Sequence, residues 1–168
     1  LPEFDVQCPY LSLPGVFGTD LDSVPPPVPI SVDDEARAKF APILAPYDDR
    51  LKVGIVWSGS VTFKANHLRS ASIERFLPFA EVPGVQLFRL QKGPREPDLD
   101  QVRGRSIVVD LAKQFDDFTD TAAAIEQLDL VIMTDSSVAH LSSALGRPVW
   151  NMLSYVPYWL YLRDRTDS

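Results

Sequence analysis

The sequence predicts an α/β fold built around a doubly wound parallel sheet. Short apolar runs typical of buried strands alternate with stretches of helical periodicity from residue 51 onward. The clearest unit is the apolar run 130–133, which stops at Asp135 and is followed by a helical pattern that closes at Gly146. Strands separated by helices in this way form right-handed βαβ units, and such units produce a parallel sheet.

The other elements follow from the same periodicity and from capping and turn residues. A helix begins at a cap formed by Ser31 or Asp33 and ends near Pro46. Strands are predicted at 52–57, 85–91, 106–111, from Leu130, and at 148–153. Further helices are predicted at 73–80, near Leu99 and Val102, from a cap at Thr119 or Asp120 through 122–125, from Ser136 to Leu145, and from about Tyr158.

Composition restricts the class of partner. With 168 residues, the chain is long enough for one α/β domain and a tail, but too short for two full domains. Its formal charge of −7 argues against a nucleic-acid backbone or an anionic membrane as the main partner, and no apolar run approaches a membrane span. A single cysteine, Cys8, excludes an internal disulfide and fits a reducing, cytoplasmic compartment. Cys8 forms no metal-binding pattern with His67 and His140, so no metal is expected.

The first 32 residues differ from the rest in their proline content. Prolines at positions 25, 26, 27 and 29 prevent a persistent helix or central strand there. We therefore expect residues 1–32 to be an extended linker or the tail of a missing N-terminal domain, and residues 33–168 to form the folded domain. The chain begins without methionine and ends without a clear cap, so we expect a fragment of a larger protein, truncated at its C-terminus.

The first candidate ligand site lies at Asp135, Ser136 and Ser137. These residues follow a buried strand, and open α/β sheets bind ligands at the carboxyl ends of their strands. They also begin a helix, whose free N–H groups and positive end favour a phosphate. His140 follows Ser136 by four residues and therefore lies on the same face of the helix. The alternative for His140 is a histidine near the core that bonds a backbone carbonyl.

A glycine turn after the first strand is the second candidate. Ser58, Gly59 and Ser60 form a short turn through which the backbone can approach a diphosphate. The alternative is that Gly59 only satisfies a tight turn. Neither a G-x-G-x-x-G fingerprint nor a Walker A motif is present.

Basic residues near these strand ends are the third candidate. Lys64 and Arg69 follow the glycine turn, and Lys92 ends the second strand. They can neutralise a phosphate, or they can be ordinary solvated surface charges. A Ser-His-Asp hydrolase is disfavoured because the chain has no G-x-S-x-G motif, and because Ser136 and His140 share one helix.

In combination, these motifs resemble a known family. The chain carries, in family order, Val53-Gly54-Ile55-Val56-Trp57-Ser58-Gly59, Arg69-Ser70, Leu90-Gln91-Lys92-Gly93, the run 117–125, the run 128–132, Asp135-Ser136-Ser137-Val138-Ala139-His140 and the run 144–150. This order resembles the C-terminal domain of bacterial tetratricopeptide-repeat glycosyltransferases, which are related to heptosyltransferases and more distantly to O-GlcNAc transferase. The resemblance covers nearly the whole chain, including the lead-in at 8–14 and 17–19.

The resemblance implies a GT-B fold, of which this chain is the C-terminal, Rossmann-like half. In that family this half holds a nucleotide-sugar donor. Asp135, Ser136 and Ser137 would then lie at the diphosphate or the sugar, with His140 nearby, and the turn 58–60 would approach the phosphates. The partners implied are a missing N-terminal acceptor domain and tetratricopeptide repeats of the same chain.

The resemblance also gives the basic residues a role. Lys64, Arg69 or Lys92 would offset the negative charge of the leaving nucleoside diphosphate. In other transferases a metal ion supplies this electrostatic stabilisation. We therefore expect a reaction that needs neither a metal nor another cofactor.

Several positions depart from the family pattern. Relatives usually carry Thr at the position of Ser136, and Asn-Asp where Asn66 and His67 stand. They tend to carry Asp-Trp-Arg where this chain has the run 158–160. These departures leave open a non-catalytic nucleotide-binding or interaction module. A protein similar to nucleotide-sugar epimerases, which also place Asp-Ser at a diphosphate, is a second alternative.

Overall fold

The centre of the fold is a parallel sheet. The computed structural model describes residues 3–26, 28, 30–158 and 161. Within these ranges the sheet has five strands, Leu51–Val56 (β1), Val85–Arg89 (β2), Val108–Asp110 (β3), Leu130–Thr134 (β4) and Val149–Met152 (β5). Their order is β3-β2-β1-β4-β5 and neighbouring strands run parallel, so the predicted doubly wound parallel sheet is confirmed.

Helices connect the strands and cover the sheet. The α-helices are Leu13–Phe17 (α1), Asp34–Leu44 (α2), Asn66–Arg69 (α3), Asp98–Gln101 (α4), Phe118–Glu126 (α5) and Ser137–Ala144 (α6). Shorter 3-10 helices are Tyr10–Ser12, Ala45–Tyr47, Ile73–Arg75, Leu77–Glu81, Arg105–Ile107 and Ala112–Gln114.

Each face of the sheet has its own hydrophobic core. On one face α2, α5 and α6 pack over the strands, and Phe40 and Ile125 lie fully buried there with Met133. On the other face Trp57 and Phe76 pack over the strands, both almost fully buried. Successive side chains of β1 point to opposite faces of the sheet, and both faces are covered. Its sequence is therefore almost continuously apolar.

Gly54 lies in the middle of β1 because two leucines meet above it. A Cβ atom at this position would lie 2.7 Å from Cδ1 of Leu90 and 2.8 Å from Cδ1 of Leu128. Glycine inside a strand often marks such a close approach. Every other residue at position 54 would push these two buried side chains apart.

Strand β5 forms one edge of the sheet. Trp150 is 59% exposed and Met152 is 39% exposed, and both project from the same side of the strand. Among the residues that the structure describes, no strand pairs with the outer edge of β5.

The helix predicted at 73–80 is wrong. The segment forms two 3-10 helices, Ile73–Arg75 and Leu77–Glu81, on either side of Phe76. Pro78 has no N–H to donate to the carbonyl of Glu74, so a regular α-helix is interrupted there. Phe76 is nevertheless buried as an apolar anchor.

The predicted cap of α5 is also wrong. Asp117, rather than Thr119 or Asp120, is the N-cap, and its carboxylate accepts from the backbone N–H groups of Thr119 and Asp120. The cap Asp33 of α2 is confirmed, since its carboxylate accepts from Ala36 N. The third strand is shorter than predicted, because its first residues form the 3-10 helix Arg105–Ile107.

The first segment contains short helices that were not predicted. Tyr10–Ser12 and α1 are exposed to solvent, and Phe17 at the end of α1 is 77% exposed. The interpretation of residues 1–32 as a linker or a domain tail stays a prediction. The helix predicted from Tyr158 falls mostly outside the described residues.

Two ion pairs join α2 to α5. Arg37 Nε donates to Glu126 Oε2 at 2.6 Å, and Lys39 Nζ donates to Asp120 Oδ2 at 2.7 Å. Asp120 also accepts from the backbone N–H of Asp116 at 2.8 Å. Burial acts to raise the pKa of Asp120, but the hydrogen bonds from Lys39 and from backbone N–H groups outweigh it and lower this pKa.

We predict that Asp120→Asn lowers the free energy of unfolding at pH 7 by about 1–2 kcal/mol, because Lys39 loses its buried charged partner. Urea denaturation measures this difference. Since folding lowers the pKa of Asp120, its contribution is present above about pH 4 and is lost as the pH falls through the folded value. The two proteins should therefore converge in stability at acidic pH.

Asp116→Asn is the matched control. Asp116 binds the same Lys39, but its side chain is 90% exposed, so its loss should change stability little. Equal destabilisation by the two substitutions would contradict the role given to Asp120.

Candidate functional site

A cleft opens where the chain leaves β1 and β4. These neighbouring strands are followed by connections to opposite faces of the sheet, which is the arrangement where open α/β sheets form a ligand crevice. The cleft has a volume of about 690 Å³, within the usual range for small-molecule sites. Its described lining comes from the turn after β1, the end of β2, the start of α5 and the start of α6.

The wall formed by α6 has open hydrogen-bond donors. Ser136 is the N-cap in an extended conformation, but its side chain caps no backbone N–H. Its Oγ atom is buried and has no hydrogen-bond partner among the described residues. The first N–H groups of a helix, here those of Ser137 and Val138, have no acceptor within the helix. This wall therefore suits an anionic group, as the sequence predicts.

The wall formed by the turn after β1 is held in place by Gln91. Gln91 Oε1 accepts from Trp57 N at 3.1 Å and from Ser58 N at 2.9 Å, while its Nε2 donates to the carbonyl of Lys92. Gln91 is only 3% exposed. The sequence analysis missed this role, although a glutamine as the last residue of the predicted apolar strand 85–91 is a signal for it.

The hydroxyl of Ser58 is used inside the protein. It accepts from Asn66 Nδ2 at 3.0 Å and lies 3.0 Å from Ser70 Oγ, which in turn donates to the carbonyl of Asn66. Ser58 is 2% exposed. Its side chain therefore fixes the following loop. Gly59 and Ser60, also candidates from the sequence, line the cleft beside it.

A further wall comes from the start of α5. The Asp117 carboxylate occupies the N–H groups at this helix end, so this end is closed to an anion. The next residue, Phe118, is 60% exposed and lines the cleft. Lys92 is exposed on the rim and is the basic residue among the described lining residues.

The other candidates lie beside the cleft rather than in its described lining. Lys64 is an exposed loop residue. Arg69 Nη1 lies 3.7 Å from Asp135 Oδ2, and both side chains are mostly buried. The structure therefore brings Ser136, Ser137 and the turn 58–60 together, and places Arg69 and Asp135 in a second cluster next to them.

His140 belongs to this second cluster. Its exposed ring stacks on Tyr161, with 6.2 Å between ring centroids. Tyr161 Oη donates to Asp135 Oδ1 at 2.6 Å. Burial, together with this hydrogen bond, raises the pKa of Tyr161 to about 12. Because Ser136 Oγ bonds no described residue, it does not form a nucleophile–base pair with His140.

Three solved structures have a similar fold. A family 9 glycosyl transferase from Veillonella parvula has 21% identity and a TM-score of 0.61, over 84% of this chain and 41% of that one. The E. coli ADP-heptose LPS heptosyltransferase II has 15% identity and a TM-score of 0.58, over 77% and 41%. An E. coli heptosyltransferase with ADP-2-deoxy-2-fluoro heptose has 17% identity and a TM-score of 0.51, over 85% and 44%.

The chain shares its fold with these glycosyltransferases. The predicted resemblance to heptosyltransferases is confirmed at the level of the fold, and the link to tetratricopeptide-repeat proteins stays a prediction. The chain spans about two fifths of the length of the proteins that it matches. Neither a protein-family model nor a curated protein matches it. None of its described helices has the length and apolar character needed to cross a membrane.

We predict that Gln91→Leu lowers the free energy of unfolding by about 2–4 kcal/mol, because two buried N–H groups lose their acceptor. Urea denaturation measures the loss. Gln114→Leu is the control, since Gln114 is exposed and its replacement should change stability by less than about 0.5 kcal/mol. Similar losses in the two variants would show that the bonds of Gln91 are unimportant.

Proposed function

We propose that the cleft binds a nucleoside-diphosphate sugar, and that this chain is the donor-binding domain of a glycosyltransferase. The observation that carries the proposal is the uncapped N-terminus of α6 at the cleft between β1 and β4. An anion at that position gains both backbone hydrogen bonds and the favourable helix dipole. The shared fold supports the same conclusion, and one of the similar proteins is described with an ADP-sugar analogue.

The two helix ends give the ligand a direction in the cleft. The diphosphate binds at α6, where the N–H groups are open, and avoids α5, where the Asp117 carboxylate already occupies them. The exposed ring of Phe118 offers a surface on which the base can stack. The base therefore lies toward α5 and the phosphates toward α6.

In this proposal, fixed protein groups stabilise the negative charge that develops during the reaction. When the sugar is transferred, negative charge grows on the departing diphosphate. Lys92 and the first N–H groups of α6 are placed to offset that charge, which is the kind of stabilisation that lowers a transition-state barrier. We propose that no metal ion is required.

The proposal also requires a domain that binds the acceptor. We propose that an acceptor-binding domain with the catalytic base lies elsewhere in a longer chain, together with tetratricopeptide repeats, and that the protein acts in the cytoplasm. The similar glycosyltransferases are more than twice as long as the part that this chain matches, which leaves room for such a domain.

We predict that a nucleotide raises the melting temperature of this domain. The panel consists of UDP, GDP, ADP and their sugar conjugates. A ligand at 100 times its Kd stabilises the fold by about 2.7 kcal/mol, which corresponds to a shift of several degrees. A shift with one base identifies the donor nucleotide, and no shift with any member of the panel would contradict the proposal.

Ser136→Asp should reduce this shift by about half or more at the same ligand concentration, without unfolding the protein. Aspartate is a good N-cap, so α6 remains stable, but its carboxylate occupies the open N–H groups and repels a phosphate. We expect the affinity to fall by about tenfold or more. The control is Ser143→Asp, an exposed position near the other end of the same helix, which should keep the shift. Equal shifts in both variants would place the ligand elsewhere.

Activity of the full-length parent separates transfer from the two alternatives. A glycosyltransferase releases nucleoside diphosphate in proportion to an added acceptor. An epimerase converts the sugar nucleotide without an acceptor, and a binding module does neither.

A further inference from the structure

Arg69, the last residue of α3, is held on several sides in the segment that follows β1. Its Nε donates to Asn66 Oδ1 at 3.2 Å, and its guanidinium lies 4.4 Å from the centroid of the Phe63 ring. Nη1 lies 3.7 Å from Asp135 Oδ2. The side chain is only 18% exposed, and Arg69 does not belong to the described lining of the cleft.

Gly59 also lies against the guanidinium of Arg69. A Cβ atom on Gly59 would lie 2.7 Å from Arg69 Nη2, which is closer than real Cβ contacts, and 3.0 Å from its Cζ, so the guanidinium would have to move. Gly59 is not among the glycines with positive φ, so its backbone conformation does not require glycine. The requirement for glycine comes from the planar guanidinium that lies against it.

Asp135 connects this arrangement to the opposite wall of the cleft. It directly follows β4 and precedes the N-cap Ser136 of α6. One carboxylate oxygen pairs with Arg69 and the other accepts from Tyr161 Oη. The turn after β1 and the start of α6 are therefore joined through one guanidinium and one carboxylate.

We infer that Arg69 is a positioning residue, which sets the Gly59 wall of the cleft relative to α6 while Asp135 holds its guanidinium. Its effect on the ligand rests on the proposed function, whereas its contact with Gly59 does not. This differs from the two roles that the sequence suggests, in which Arg69 neutralises phosphate directly and Gly59 is small to admit a diphosphate.

A double-mutant cycle of Gly59→Ala and Arg69→Ala tests the contact. We expect Gly59→Ala to lower the melting temperature by several degrees in the wild-type background, and to have almost no effect when Arg69 is already alanine, because the clash is then absent. An equal effect of Gly59→Ala in both backgrounds would overturn the inference.

Nucleotide affinity, measured by calorimetry well below the melting temperature, tests the positioning role. UDP, GDP and ADP are the probes. Arg69→Ala should weaken binding by about tenfold. Arg69→Lys should weaken it equally, since lysine keeps the charge but cannot fill the planar space between Gly59 and Phe63. Wild-type affinity in Arg69→Lys would mean that Arg69 acts by charge, and would overturn the positioning role.

The two measurements separate the inference from the proposed function. If none of the three nucleotides binds the wild-type protein, the proposed function fails, and the positioning role toward a ligand fails with it. The melting-temperature cycle still decides whether Arg69 sets the Gly59 wall.

Discussion

The shape of the cleft depends on the hydrogen bonds made by the first backbone N–H groups after β1. Beyond Val56 the chain leaves the sheet, and the N–H groups of Trp57 and Ser58 would be buried without acceptors. Gln91 provides one oxygen for both. This pair of bonds fixes where the turn begins and helps to keep the Trp57 ring in the core, so the Gly59 wall starts from a fixed point. A buried donor without a partner costs about 1–3 kcal/mol, which is large against the stability of one domain.

The starts of α5 and α6 lie at the same cleft but differ in their capping, so the electrostatic potential differs between the two ends of the cleft. At α5 the Asp117 carboxylate satisfies the backbone N–H groups and adds a negative charge. At α6 the Ser136 side chain leaves them open. If both helix starts were capped by side chains, the cleft would attract an anion poorly. Because only the start of α5 is capped, a ligand that is charged at one end binds with that end toward α6.

The sheet and part of the site could be predicted because they depend on local patterns. Buried parallel strands are short apolar runs, and Ser136 and Ser137 follow such a run and begin a helix. The rest depends on contacts between distant residues. Asp117 and Asp120 are equally good caps in sequence, and Lys39, which lies far away in the chain, binds Asp120 instead. Whether Arg69 faces the cleft depends on the path of its loop, which no periodicity records.

No strand within the described part of the chain covers the outer edge of β5, and this affects how that part behaves as an isolated molecule. An unpaired strand edge exposes backbone donors and acceptors to which another strand can add, and exposed Trp150 and Met152 beside it provide apolar area for the same contact. Such an edge favours concentration-dependent self-association, in which the sheet of one molecule continues into the sheet of the next. Lysine in place of Trp150 would add a charge at this edge, which is how natural proteins discourage such association.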